Sequence, residues 1–356
     1  MGRVLAMQEQ VASNKVPRLS VVIPCYNEED CLLSLHERVT TVCRSVAGDD
    51  YEIVLVNDGS RDMTWPIMLD LADRDPKLVC VDLARNHGQQ LALTAGLNLC
   101  RGDRVFIIDA DLQDPPELLG PMMRMMEEQG AEVVYGQRRT RAGESAMKKA
   151  TAALFYRLLN RLAEIDIPQD TGDFRLMSRR ALNIFLRMPE ANRFVRGMIS
   201  WIGMKQVPFA YDRDPRLAGT TKWPLAKMIR LTLDAITGFS TAPLKLVNWI
   251  AVLLSVCTLP LLVYTLVSWA KGHAVPGWTS LMVVVLVIAA VQMLVLGIMG
   301  EYLGRLYMEA KRRPLFVVRQ IARSAPGEPD PMMADDQMRR GFATGPIVSV
   351  VVQPTG

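Results

Sequence analysis

Five short apolar runs, rich in β-branched residues, each end at a turn signal: Leu19–Ile23, Tyr51–Val56, Leu78–Leu83, Arg104–Ile108 and Glu132–Tyr135. Between them, apolar residues recur at helical spacing around Glu28–Val46, Met63–Asp73, Gln89–Cys100 and Pro116–Gln129. Short continuous apolar runs read as strands buried on both faces, as in a parallel sheet. Their alternation with amphipathic helices predicts a doubly wound α/β domain with a mostly parallel sheet. That domain is expected over 19–221, after an N-terminal tail over 1–18. No G-x-G-x-x-G follows the first strand. The turn there reads Pro24-Cys25-Tyr26-Asn27-Glu28-Glu29, which disfavours a dinucleotide-binding domain.

The pattern changes after about residue 243. Leu246–Ala270 carries almost no charge and is long enough for a bilayer core of about 30 Å. A polar break over Lys271–Trp278 leads into a second apolar run, Thr279–Gly300. Two transmembrane helices are therefore expected within 244–304, at about 246–270 and 279–300. Lys222, Lys227, Arg230 and Lys245 precede the first run, and Arg305, Lys311, Arg312 and Arg313 follow the second. The connecting loop holds only Lys271. The positive-inside rule then puts the sheet domain and both termini in the cytoplasm, in a multi-pass protein of the cytoplasmic (inner) membrane. Trp249, Trp269 and Trp278 suit the two interfaces.

Between the sheet and the spans, Leu225, Met228, Ile229, Leu231, Leu233 and Ile236 alternate with Lys227, Arg230 and Asp234 at helical spacing. This predicts an interfacial amphipathic helix over 222–243, with a core helix of the sheet domain as the competing reading. The C-terminal tail over 305–356 is rich in Pro, Asp, Met and Arg past Pro314 and is expected to be partly disordered.

Composition narrows the function classes. A net charge of +4 over 356 residues is too mild for a dedicated nucleic-acid binder, so no nucleic-acid partner is expected. The six cysteines lack C-x-x-C spacing and read as reduced core residues. His36, His87 and His273 do not cluster, which argues against a histidine metal site or a His-based triad. Met1–Pro17 has no apolar core of a signal peptide.

The candidate chemistry sits where the fourth run ends, in Ile108-Asp109-Ala110-Asp111-Leu112-Gln113-Asp114-Pro115-Pro116. Residues i and i+2 of an extended segment point the same way, so Asp109 and Asp111 can face one point. Ligands of open α/β sheets bind at the carboxyl ends of the strands. Paired carboxylates there suit Mg²⁺ or Mn²⁺, which share the rest of their shell with substrate phosphates. A helix-capping Asp beside a solvated neighbour is the alternative for the same string.

Three motifs carry a family resemblance: Val21-Val22-Ile23-Pro24-Cys25-Tyr26-Asn27-Glu28-Glu29, Val56-Asn57-Asp58-Gly59-Ser60 and Asp109-Ala110-Asp111-Leu112-Gln113-Asp114-Pro115. From about residue 19 to about 320 the chain resembles the inverting GT-A glycosyltransferases of family 2. Gly172-Asp173-Phe174-Arg175-Leu176, Gly219-Thr220-Thr221-Lys222-Trp223 and Gly300-Glu301-Tyr302-Leu303-Gly304-Arg305 narrow this to polyprenyl-phosphate glycosyltransferases. Bactoprenol glucosyltransferases are the nearest in pattern, with dolichol-phosphate mannose synthases and undecaprenyl-phosphate aminoarabinose transferases as cousins.

The resemblance implies a GT-A, Rossmann-like fold, a UDP-sugar donor, a polyprenyl-phosphate acceptor, Mg²⁺ or Mn²⁺ on Asp109 and Asp111, and a homo-oligomer such as a tetramer. By motif, Pro24, Tyr26 and Glu28 would line the nucleoside pocket, and Asp58 would accept a hydrogen bond from uracil. Gln113 would serve the donor site. Asp173 is a catalytic candidate, as a base, a donor-sugar contact or the salt-bridge partner of an arginine. Asn57 replaces the first acid of the family's Asp-Asp-Gly-Ser and spares the second.

A phosphate monoester acceptor has a second pKa of about 6 and is already a dianion at neutral pH, so it has little need of a strong base. It does need positive charge beside an anionic donor. Arg138, Lys149, Arg175 and Lys222 are the residues assigned to the acceptor phosphate, from a basic stretch that also holds Arg139, Arg141, Lys148, Arg213 and Arg216. A solvated basic face is the alternative for each. The leading expectation is transfer of glucose from UDP-glucose to undecaprenyl phosphate with inversion. Aminoarabinose, N-acetylglucosamine, galacturonic acid and mannose are the alternative sugars. A processive polysaccharide synthase is disfavoured because Gln137-Arg138-Arg139-Thr140-Arg141 lacks the Trp of the Gln-x-x-Arg-Trp signature. An inactive membrane adaptor is disfavoured by the intact acids at 58, 109 and 111.

Overall fold

The computed structural model describes residues 16–139, 168, 171–212, 242–271 and 277–323. The chain divides into two compact units. One comprises Met1–Ala150, Asp166–Lys222 and Arg312–Gly356, the other Thr151–Ile165 and Trp223–Lys311. The N-terminal tail through residue 15, residues 222–241 of the interfacial helix expected over 222–243, and Lys149 lie outside the described residues, whereas 242–243 open the helix that starts at Ala242.

The first unit is built on β1 (Leu19–Cys25), β2 (Tyr51–Asn57), β3 (Leu78–Leu83), β4 (Arg104–Ile107), β5 (Val133–Arg138), β6 (Thr171–Ser178), β7 (Gln206–Tyr211) and β8 (Val318–Arg323). They form one sheet in the order β7-β5-β6-β4-β1-β2-β3-β8. β4, β1, β2 and β3 run parallel, with Leu19 paired to both Tyr51 and Arg104. These are the four apolar runs predicted first, and every residue of β2 and β3 is buried.

The rest of the sheet departs from the mostly parallel expectation. β6 lies between β4 and β5 and runs antiparallel to both, and β8 runs antiparallel to β3. β7 pairs parallel with β5 on the far edge. The sheet is therefore mixed. Sequence patterning missed β6 because Asp173 and Arg175 interrupt its apolar pattern, yet all eight of its residues are buried. It missed β8 because Val318-Arg319-Gln320-Ile321-Ala322-Arg323 reads as a polar tail. The expectation of disorder past Pro314 is corrected for this stretch. β8 covers the edge of β3, which would otherwise expose unpaired backbone groups.

Helices α1 (Leu32–Ala47), α2 (Thr64–Arg74), α3 (Gln89–Leu99), α4 (Leu119–Gln129), α5 (Arg179–Leu186) and α6 (Val195–Trp201) accompany the sheet. Leu32, Leu35, Val39 and Cys43 of α1 join Val21, Ile23, Ile53 and Leu55 in the core. α1 starts at Leu32 rather than at Glu28, which leaves 26–31 as a loop at the carboxyl end of β1. Cys25, Cys31, Cys43, Cys80 and Cys100 are free and buried, as expected of reduced core thiols, whereas Cys257 is exposed.

In the second unit, α7 (Ala242–Ala270) contains Pro260, and α8 (Trp278–Ala310) packs against α7. Leu246, Trp249, Leu253, Leu281, Leu294 and Leu303 are among the large apolar side chains that these helices expose. Among the described residues, one segment, Val287–Ala310, is long and apolar enough to cross a membrane.

α3 rests directly on the sheet at Gly96. A Cβ there would stand 2.5 Å from Val22 Cγ1 and 2.9 Å from Val56 Cγ2, so the helix seats only because the side chain is absent. Gly96→Val is expected to cost about 1–3 kcal/mol through overpacking. The measurement is the midpoint of urea unfolding of the full chain, and an unchanged midpoint would contradict this seat.

Candidate active site

The parallel strands deliver their carboxyl ends to one edge, and the antiparallel β6 brings its amino end to the same edge. Ile107 pairs with Arg175. Two residues further along this antiparallel register, Asp109 comes level with Asp173. The chain then turns at Leu112, whose φ of 54° is left-handed. Such a conformation in a leucine costs about 1–2 kcal/mol and persists because the side chain is locked in the core, 1% exposed. The turn also lets the Gln113 N–H donate to Asp111 Oδ1 at 3.2 Å.

The two acids meet opposite electrostatic conditions. Arg196 Nε donates to Asp173 Oδ1 at 2.9 Å, and Gln90 Nε2 donates to Oδ2 at 2.9 Å. Burial alone would raise the Asp173 pKa, but the charges of Arg196 and Arg175 and these hydrogen bonds hold it below the usual carboxylate value. Arg196 also donates to the Thr171 carbonyl at 3.1 Å, and Gln90 Oε1 accepts the Val195 N–H at 2.9 Å. The start of α6 and the start of α3 thus clamp one carboxylate between them.

Asp109 receives a neutral donor, Gln89 Nε2, at 2.8 Å. Burial pushes its pKa up to about 7, and the negative charges of Asp173, Asp114 and Asp111 add to the rise. The charge of Arg196 opposes this rise without cancelling it.

On the β5 side, Arg138 is the last residue of its strand rather than part of a following loop. Its guanidinium lies 3.9 Å from Asp114 Oδ1, which also accepts the Tyr211 hydroxyl at 2.5 Å. Burial works against the Arg138 charge, but Asp114 and Tyr211 outweigh it and its pKa is raised. Arg138 keeps 24% of its side chain exposed. Arg175 is 3% exposed, donates to the Gly172 carbonyl at 2.9 Å, and its charge favours the ionised form of Asp173. Burial lowers its pKa to about 10. The phosphate-binding expectation for Arg175 does not match this placement.

On the β1–β2 side, Asp58 is 2% exposed and accepts the N–H groups of His87 at 2.6 Å and Gly88 at 2.9 Å. Burial raises its pKa despite these bonds. Gly59 (φ 66°) lets this loop touch the 85–86 backbone, because a Cβ would stand 2.7 Å from Arg85 C and Asn86 N. The half-buried Pro24 lies near the end of β1, and the half-buried Tyr26 and Glu28 occupy the turn that follows. That turn is tied down by Asn27 N–H to Ser60 Oγ at 3.0 Å and Glu28 N–H to Thr64 Oγ1 at 2.9 Å. Asp58, Asp109, Asp111, Gln113, Arg138 and Asp173 therefore all sit at or beside the same sheet edge. Sequence reasoning missed Gln89, Gln90 and Arg196. Their only sequence signal is polarity at the ends of amphipathic helices, and their partners lie far along the chain.

Comparison with known proteins places the chain in a family. The model of glycosyl transferase family 2 matches residues 20–185, which hold every acid discussed. The chain is 45% identical over 302 residues to the uncharacterized glycosyltransferase YkcC of Bacillus subtilis, covering 85% of this chain and 93% of that one. The chain belongs to glycosyl transferase family 2. It is 38% identical to the prophage bactoprenol glucosyl transferase homolog of Escherichia coli, over 85% of this chain and 99% of that one. Among solved structures, mannosyl-3-phosphoglycerate synthase from Rubrobacter xylanophilus aligns with a TM-score of 0.46 at 20% identity, over 65% of this chain and 74% of that one. This family 2 glycosyltransferase carries its acids on a mixed sheet.

The donor set of this family 2 site fits a hard divalent cation. Its atoms are carboxylate oxygens, and Asp109 carries the excess negative charge that a cation would relieve. Among the described residues no cluster of three or more His, Cys, Asp or Glu makes a closed metal cage. Asp109 and Asp111 would supply carboxylate oxygens to such a cation.

The raised pKa of Asp109 has a sign that can be tested in the metal-free protein. The folded state holds this proton more tightly than the unfolded chain, so its stabilising contribution is complete below about pH 4 and is lost as pH rises through about 7. Asp109→Asn should raise Tm at pH 8 and leave it little changed at pH 4. A gain of about 1 kcal/mol moves Tm by about 2–4 °C in a domain of this size. Equal Tm differences at both pH values would show that Asp109 is not crowded by its neighbours.

Proposed function

We propose that the protein transfers a hexose, glucose from UDP-glucose, to undecaprenyl or another polyprenyl phosphate, with inversion, at the cytoplasmic face of the membrane. The observation that carries the reading is the pair of unlike acids at the sheet edge, Asp173 held by Arg196 and Asp109 left with surplus charge. The names of the bactoprenol glucosyl transferase relatives support the lipid-phosphate acceptor.

In this reading Asp109 and Asp111 hold Mg²⁺ or Mn²⁺. The cation, when bound, neutralises the diphosphate that leaves as UDP. Pro24, Tyr26, Glu28, Asp58 and Gln113 receive the donor. An oxygen of the acceptor phosphate attacks the anomeric carbon, the bond from that carbon to the diphosphate breaks, and configuration inverts. The attacking oxygen belongs to a dianion near neutral pH, so it has no proton that a base must remove. Asp173, ionised and bonded through both oxygens, then acts as an orienting anion rather than as a base. Arg138 offers a guanidinium to the acceptor phosphate, and Lys149 and Lys222 complete that role.

A lipid acceptor requires the pocket to stay at the bilayer surface. The apolar runs at about 246–270 and 279–300 are read as a two-span hairpin, supported by the large apolar side chains that α7 and α8 expose. The basic residues on both flanks support cytoplasmic termini. A homo-oligomer assembled through this unit belongs to the same reading.

The test is an assay of the purified full-length protein with radiolabelled UDP-glucose, undecaprenyl phosphate and Mn²⁺. Label is expected in an organic-soluble product. Asp111→Asn should lower the rate at least about a hundredfold, since each 1.36 kcal/mol of lost charge stabilisation is tenfold. No organic-soluble product from any donor in a panel of UDP- and GDP-sugars would overturn the reading.

A further inference from the structure

Strand β8 does more than cover an edge. It follows α8 in the chain, after residues 311–317, and pairs with β3 from Val79↔Arg323 to Leu83↔Val318, with an irregularity between Asp82 and Leu83. The pairing is extended by the Ala84 N–H donating to the Val317 carbonyl at 2.9 Å. From β8, Arg319 reaches across the edge with a forked contact. Its Nη1 donates to Asp82 Oδ2 at 3.0 Å and its Nη2 to the Ala84 carbonyl at 2.7 Å.

Asp82 is 2% exposed and belongs to none of the acids at the candidate active site. Its other oxygen, Oδ1, accepts Asn57 Nδ2 at 2.7 Å. Asn57, itself 2% exposed, accepts the Ser60 N–H through Oδ1 at 3.1 Å. Ser60 Oγ in turn accepts the Asn27 N–H at 3.0 Å, and Asn27 Oδ1 accepts the Arg61 N–H at 2.9 Å. An unbroken series of hydrogen bonds therefore runs from β8 to the two loops that contain Tyr26, Glu28 and Asp58. An ionised carboxylate buried this deeply is stable only when its charge is met. Burial raises the Asp82 pKa while Asn57 and Arg319 oppose the rise, which agrees with that role.

We propose that Arg319 is a positioning residue for the donor site, acting through Asp82 and Asn57 to hold the 57–61 and 26–29 loops in register. The proposal rests on the reading of those loops as the donor pocket. It also explains why Asn57 suits this chain where the family pattern has an acid. A carboxylate at 57 would face Asp82 as a like charge, whereas the amide donates to Asp82 and accepts from Ser60.

Hydrogen–deuterium exchange and steady-state kinetics on full-length Arg319→Ala, Arg319→Lys and Asp82→Asn test it. Exchange should quicken in peptides covering 57–61 and 26–29 in Arg319→Ala and Asp82→Asn, and stay at the wild-type rate over 109–114. The KM for the nucleotide-sugar donor should rise about tenfold in Arg319→Ala, while the KM for lipid phosphate stays within about twofold. Arg319→Lys should recover most of the loss. Faster exchange confined to β3 and β8, with 57–61 unchanged, would overturn the proposal and leave Arg319 as an edge staple. If Arg319→Ala does not fold, unchanged exchange over 57–61 in Asp82→Asn overturns it equally. If the donor reading itself is wrong, wild-type protein shows no saturable use of a nucleotide sugar, while the exchange pattern still decides whether the relay exists.

Discussion

Negative charges crowd one edge of this sheet, and the surrounding architecture answers that crowding. Asp109, Asp111 and Asp114 leave the end of β4, and β6 inserts Asp173 level with the first of them. Like charges in a partly dry site repel strongly, so each acid needs a partner or a proton. Arg196 and Gln90 meet Asp173, while Tyr211 and Arg138 meet Asp114. Asp109 accepts a hydrogen bond from Gln89, and burial with the neighbouring acids raises its pKa against the opposing charge of Arg196. The imbalance matches what a cation and an anionic donor would bring together.

The mixed sheet makes this arrangement possible. In an all-parallel sheet, each neighbouring strand would offer its own carboxyl-end loop. The antiparallel β6 offers the first residues of a strand instead, and a strand fixes a side chain more rigidly than a loop. Arg175, two residues on, is buried on the same strand, and its charge helps to hold Asp173 ionised. At the other end of the sheet, β8 closes the β3 edge and places Arg319 on Asp82. Rigid strands thus carry polar side chains that hold two sets of loops.

The central strands were legible in the sequence because their signal is local. An apolar run ending in a turn lies within a few residues. The fold beyond them was less legible. β6 breaks its apolar pattern at Asp173 and Arg175, and the reason, an ion-paired interior, appears only when Arg196 is seen beside it. β8 reads as a charged tail until β3 is seen to need an edge. The sequence assigns Arg175 to the phosphate as one of a stretch of basic residues, and its burial shows that such a stretch does not tell an interior arginine from an exposed one. Gln90 and Arg196 had no local signature, since helix ends are ordinarily polar.

The proposed chemistry depends on Asp109 and Asp111 sharing one cation with a donor diphosphate. Electron paramagnetic resonance of Mn²⁺ titrated into the full-length protein with UDP tests this directly. The aqueous Mn²⁺ signal should be quenched at one ion per chain in the wild type, and remain in the Asp109→Asn/Asp111→Asn double variant at the same protein concentration. Equal binding of Mn²⁺ by the two proteins would contradict a cation held by this pair.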